Sequence, residues 1–162
     1  MSNTSVLKGT EKYFIIGLIV WLFAQLIRFI AIPLIQSVNN GIDAPGWLYP
    51  AILDVFAAVF AIPLILLVWK YRSFVTWTLA IVYFTMSITD HIGALTNLYI
   101  IGEPIAFLEM NGGRNPYTAP IIQTILDIVF FVLLLIPKYR NLFFKITNFM
   151  HYFDGFSQRK FF

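Results

Sequence analysis

The sequence predicts an all-α membrane protein: four transmembrane helices in an up-down bundle, then an amphipathic helix lying in the membrane interface. Three observations lead there. Of the 162 residues, 59% are hydrophobic and 12% charged, about half the charged share of an ordinary soluble domain. A soluble domain this short could not bury so much apolar surface. The apolar residues gather in four stretches, each long enough for a hydrocarbon core of about 30 Å at about 1.5 Å per residue. The basic residues gather at one end of those stretches.

The spans are expected at 13–37, 47–69, 74–100 and 118–137 within a single domain, residues 1–162. Between the first two, residues 38–46 read Val-Asn-Asn-Gly-Ile-Asp-Ala-Pro-Gly, which is turn chemistry. Lys70-Tyr71-Arg72-Ser73 makes a tight basic turn before the third. Residues 101–117 form a longer connection in which Pro104 opens a short helix reaching Met110. After the fourth span, Leu142, Phe143, Ile146, Phe149, Met150 and Phe153 recur at helical spacing, while Lys145, Asn148 and Asp154 lie off that face. Segment 141–156 therefore reads as a helix in the inner interface, or one packed on a partner subunit.

Orientation follows from charge. Lys8, Lys12, Lys70, Arg72, Lys138, Arg140, Lys145, Arg159 and Lys160 share one side, and the other holds only Arg114 with Asp43, Glu103 and Glu109. The positive-inside rule makes this a multi-pass integral membrane protein with both termini cytoplasmic. Trp47, Tyr49, Tyr99 and Tyr117 fit an outer aromatic belt, and Tyr13, Trp69, Tyr71, Trp77 and Tyr139 an inner one. The net charge of +3 is explained by these helix ends, so no nucleic-acid partner is expected.

Polar groups inside a span cost a few kcal/mol each on insertion scales, so they turn inward and require partners. Every span has some: Gln25 and Arg28; Asp54; Asp90, His91 and Asn97; Gln123 and Asp127. Asp54 shares a face with Ala51, Ala57, Ala58 and Ala61, a small-residue stripe that permits close helix packing. Counted from the inner basic residues at about 1.5 Å per residue, Arg28, Asp54 and Asp90 lie about 24–27 Å up and Asp127 about 17 Å up. Arg28 is expected to pair with Asp54 or Asp90. One arginine against three aspartates leaves a charge of −2. A low-dielectric interior relieves this by a protonated carboxyl, a charged His91, a cation or a partner's residue. Asp127 is the leading proton carrier on this count. Asp54, Asp90, His91 and Asp127 are the metal-ligand candidates, although one imidazole among hard carboxylates does not single out a metal.

A faint repeat is present. Ile52-Leu53-Asp54 precedes Lys70-Tyr71-Arg72, as Ile125-Leu126-Asp127 precedes Lys138-Tyr139-Arg140. The repeat suggests two related helical hairpins in parallel orientation, but the two spacings differ by five residues, and chance or shared membrane-end usage is the leading explanation.

The chain has no cysteine, which removes disulfides, thiolate metal sites and cysteine nucleophiles. A Gly-rich phosphate loop, a His-Glu-x-x-His pair and a nucleophile elbow are missing too, and no cofactor is named by any motif. The leading expectation is a non-catalytic accessory or structural subunit of a larger membrane complex, with the bilayer and other membrane subunits as partners. In that case the cluster Gln25, Arg28, Asp54, Asp90, Asn97, Gln123 and Asp127 serves assembly. The first alternative is a small proton-coupled transporter or channel-like carrier in which Arg28 binds an anionic group. The second is a metal- or lipid-binding membrane enzyme.

Overall fold

A computed structural model describes residues 9–111 and 115–144. All regular structure among them is helical. Four helices are long and apolar enough to cross a membrane: Thr10–Asn39, Pro45–Lys70, Phe74–Ile100 and Thr118–Leu135. The third agrees with the expected bounds, and the others differ for local reasons.

The first span is not one continuous α-helix. It runs as α1 (Thr10–Ala24), a 3-10 segment (Gln25–Ile30) and α2 (Ala31–Asn39). Pro33 supplies no N–H to the Phe29 carbonyl, and its ring crowds that oxygen. The turns just ahead of Pro33 tighten accordingly. After α2, Gly41 turns the chain at φ 73°, a backbone region that costs glycine little. A short 3-10 turn, Pro45–Trp47, then leads into α3 (Leu48–Lys70).

Helix α4 (Phe74–Ile100) is capped by Ser73, whose Oγ accepts from the Thr76 N–H at 3.2 Å. The short helix α5 (Ile105–Asn111) follows Pro104, as the sequence suggested. Helix α6 (Thr118–Leu135) stops two residues before its expected end at 137. Pro137 forces Ile136 into an extended conformation, φ −64° and ψ 128°, and a single turn, α7 (Pro137–Arg140), follows. The break orphans carbonyls at the end of α6, and the Trp77 indole N–H donates to one of them, Leu134, at 2.9 Å.

Helix α3 is central. It packs against α1, the 3-10 segment, α2 and α4, and α4 in turn packs on α6. Ala51, Ala57, Ala58 and Ala61 on α3 are all buried, so the small-residue stripe is where neighbouring backbones approach. The first span meets the fourth, and the turn α7 after it, through rings: Trp21 stacks on Phe130 with centroids 6.4 Å apart, and Phe14 on Tyr139 at 4.5 Å.

Two apolar layers result. One, on the side of the Lys70–Ser73 turn, includes Leu18, Leu22, Leu64, Tyr83, Phe84 and Leu134. The other, at the opposite end, includes Ala31, Leu34, Trp47, Ala51 and Leu98, with Phe107 of α5 laid against it. Trp47, expected in an exposed belt, is 5% exposed because the Pro45–Trp47 turn carries it into the layer of Leu34, Ala51 and Leu98. Tyr49 and Tyr99 are exposed at that end, and Tyr117 donates its hydroxyl to the Leu98 carbonyl. Of the expected interfacial segment 141–156, residues 141–144 form a turn rather than a helix. Leu142 and Phe143 pack into the same apolar layer as Leu18, Leu64 and Leu134. The rest of that segment lies outside the described residues.

Candidate functional site

Between the two apolar layers lies a polar cluster built from all four spans. Its centre is Arg28. In a 3-10 helix, residues three apart eclipse, so the 3-10 segment stacks Arg28 directly over Gln25. Arg28 Nε donates to Gln25 Oε1 at 2.7 Å. Nη1 lies 3.2 Å from Asp54 Oδ1 and 3.0 Å from Asp90 Oδ2. Nη2 donates to Ser87 Oγ and meets His91 Nε2. Both aspartates expected to pair with Arg28 therefore do so.

Asp127 is fully buried and ringed by donors. Its Oδ1 accepts from the Trp21 indole at 2.7 Å and from Gln25 Nε2 at 3.1 Å. Its Oδ2 accepts from Ser87 Oγ at 2.5 Å, with His91 Nδ1 at 3.3 Å and Arg28 Nη2 at 3.8 Å. The difference in depth counted along the sequence is spanned by the length of Arg28, whose side chain reaches inward to Asp127.

The imidazole of His91 is oriented by these contacts. Arg28 Nη2 lies beside both ring nitrogens, Nε2 and, at 3.4 Å, Nδ1, and Nδ1 also faces Asp127 Oδ2. Three carboxylates, Asp54, Asp90 and Asp127, thus meet a single arginine within one chain.

Two buried polar atoms among the described residues have no hydrogen-bond partner, Asp90 Oδ1 and Tyr83 Oη. Tyr83 lies one helical turn before Ser87 on α4. Asp54 and Asp90 each set a carboxylate oxygen against the same Arg28 Nη1, at 3.2 and 3.0 Å. Two bare carboxylates held so close repel, so a proton or a cation between them is the stable arrangement. Side-chain donor atoms of Asp54, Asp90 and His91 all lie within 4.8 Å of one another; Asp127, the fourth metal-ligand candidate, is not in that group.

Above the cluster opens a cavity of about 290 Å³. Arg28, Asp54 and His91 form its polar floor, Ile30, Leu34 and Trp47 are among its apolar walls, and Glu103, Pro104 and Phe107 reach it from the connection between the third and fourth spans. The side chain of Asp54 is 29% exposed, against 2% for Asp90, so Asp54 is where the cluster meets the cavity.

Asp43 fastens that connection. Its carboxylate accepts from the backbone N–H of Ile105 at 2.6 Å and of Ala106 at 3.1 Å. Burial pushes the Asp43 carboxyl upward, but hydrogen bonds from Ser37, Ile105 and Ala106 outweigh it and hold the group below its ordinary value.

Two of the expected cluster residues sit elsewhere. Asn97 donates to the Gly46 carbonyl at 2.7 Å and so ties α4 to the turn before α3. Gln123 lines the cavity wall without a hydrogen bond to the cluster. Trp21 was not expected at all. It carries one N–H on an otherwise apolar helix face, and only the placement of Asp127 opposite it shows a role. Compared with known protein families, with curated proteins and with solved structures, the chain gives no match.

Proposed function

We propose that this chain is a small carrier that exchanges a cation for protons across a membrane. In this reading the spans form an up-down bundle with both ends cytoplasmic, the segment after Phe144 lies along the inner interface, and the cavity opens to the opposite side. One observation carries the proposal: an arginine and three aspartates meet within a single chain, beneath a cavity, and leave an excess charge of −2.

The pairing inside the chain weakens the case for an assembly contact, because Arg28 needs no counter-charge from another subunit. It also turns the choice of cargo. Nε and both Nη atoms of Arg28 are engaged by this chain's own acceptors, so an anion gains nothing by approaching it, whereas a cation is drawn to the excess carboxylate. The proton-carrying role suits the Asp54–Asp90 pair better than Asp127. A proton on Asp127 faces only donors, while one placed between Asp54 and Asp90 removes a repulsion.

A pH-gradient assay tests this. Vesicles holding the purified chain and a trapped pH-reporting dye should dissipate an imposed gradient faster than empty vesicles when a permeant cation is supplied outside. The double variant Asp54→Asn with Asp90→Asn should abolish the difference. Equal rates for loaded and empty vesicles, with both mono- and divalent cations outside, refute the carrier.

A second reading, the non-catalytic subunit, draws support from the fourth span. Only 11% of its most apolar window is covered by the rest of the chain, against 33–39% for the others. Native mass spectrometry after gentle extraction separates the two: a fixed ratio with other membrane proteins favours the subunit.

A further inference from the structure

We infer that Asp54, Asp90 and His91 form a binding site for one divalent transition-metal ion, with Arg28 and Asp127 positioning the ligands. The inference names the cation of the proposed carrier and rests on that reading for its purpose, although binding can be measured without transport.

Ligand chemistry comes first. The three side chains offer two carboxylate oxygens and one imidazole nitrogen, and the donor atoms lie within 4.8 Å of one another. Metal–ligand bonds of about 2.0–2.2 Å place donors roughly 3–4 Å apart, so small side-chain rotations close the set. Carboxylate with imidazole suits manganese, iron or zinc, whereas oxygen alone suits magnesium or calcium.

The free atom is the second point. Asp90 uses Oδ2 for Arg28 at 3.0 Å, and its Oδ1, buried in a residue 3% exposed, has no partner. A carboxylate tied by one oxygen to a cationic side chain, with the other oxygen idle, is half of a metal site.

The surrounding contacts are the third. A metal-bound histidine ordinarily donates its other ring N–H to a carboxylate, which fixes the tautomer and the ring plane. His91 Nδ1 faces Asp127 Oδ2 at 3.3 Å, which leaves Nε2 as the ring nitrogen to serve as ligand. Nε2 now meets Arg28 Nη2. On metal binding that nitrogen retains Ser87 as an acceptor, so Arg28 can release the imidazole without losing every partner.

Charge closes the case. Three aspartates stand against one arginine, and a divalent ion offsets that carboxylate excess. The cavity supplies a route, because Asp54 and His91 both line it.

The test uses the full chain in lipid nanodiscs with Mn²⁺ as the probe. One Mn²⁺ per chain should bind saturably, and pulsed electron paramagnetic resonance should show coupling to a single ¹⁴N. The chain has two histidines: His91→Gln should remove the coupling and His151→Gln should keep it. Asp127→Asn should weaken binding about 10–100-fold, the usual effect of losing a partner behind a metal ligand. Asn97→Ala, outside the cluster, should bind as the wild type does.

Absence of saturable Mn²⁺ binding to the wild-type chain, or bound Mn²⁺ with no nitrogen coupling, overturns the site even if every variant fails to fold. Asp127→Asn binding within twofold of wild type overturns the positioning role. Proton flux without Mn²⁺ binding removes the metal and leaves the carrier, whereas binding without flux leaves the metal and removes the carrier.

Discussion

Arg28→Met tests what holds the polar cluster together. The substitution keeps much of the side-chain volume and removes the charge. Gln25 Oε1, Ser87 and three carboxylates lose their shared partner, and the formal charge moves from −2 to −3. Removing one member of a buried ion pair costs about 3–5 kcal/mol, because the other is left buried and uncompensated. That is roughly 10²–10⁴ in the ratio of folded to unfolded chain. A partner substitution makes the reasoning sharper. Adding Asp90→Asn to Arg28→Met returns the charge to −2, and the double variant should recover about 0.5–3 kcal/mol relative to the sum of the two single changes, the range for residues in direct contact. The measurement is equilibrium unfolding in mixed micelles of rising SDS fraction, followed by far-ultraviolet circular dichroism. A loss below about 1 kcal/mol for Arg28→Met, with no coupling to Asp90, would mean that the guanidinium does not hold these carboxylates.

Trp21→Phe removes the indole N–H from Asp127 together with one of the two fused rings, while keeping an aromatic face toward Phe130. A hydrogen bond to a charged group is worth about 1.5–3 kcal/mol, so this change should destabilise by at least that much in the same unfolding assay, and Trp21→Phe combined with Asp127→Asn should cost less than the sum. The Asp43 carboxyl is held below its unfolded value, so its stabilising effect is complete above that value, near 3.8, and disappears as pH falls through the lower folded value. Hydrogen exchange at the Ile105 and Ala106 amides, corrected for intrinsic pH dependence, should therefore be unchanged from neutral pH down to about 4 and accelerate only below it. Asp43→Ala should give the fast rates at every pH, and protection that persists in that variant would show that α5 is held by something else.

The spans were legible because apolar length is a one-dimensional property. The third span was bounded correctly by Ser73 and the basic turn before it, signals that lie next to each other in the chain. The interior was legible in part for the same reason: Arg28, Asp54, Asp90 and Asp127 are conspicuous in apolar surroundings and must find one another. What the sequence withheld depends on lateral placement. Asn97 lies one or two turns beyond His91 on α4, and whether it meets the cluster or a turn depends on where Gly46 falls, which no spacing states. Trp47 looked like an interfacial ring until the Pro45–Trp47 turn carried it inward. Trp21 looked apolar because its polar contribution is one hydrogen on a large ring. The 3-10 segment was foreshadowed only by Pro33, and a proline in a span more often announces a kink than a change of helix type.

That change of helix type has a mechanical consequence. Six residues, Gln25–Ile30, rise about 12 Å in 3-10 geometry and about 9 Å in α geometry, and they turn about 120° further in the former. Relaxation of this stretch would draw α2 about 3 Å toward α1 and unwind it by a third of a revolution. The first span is in this sense a wound screw. Arg28 helps to hold it wound, since in the eclipsed register its guanidinium rests on Gln25 while gripping Asp54 and Asp90. Whatever takes those two carboxylates away from Arg28 frees the screw to turn, and spin labels placed on α1 and α2 would register the shortening as a change in distance.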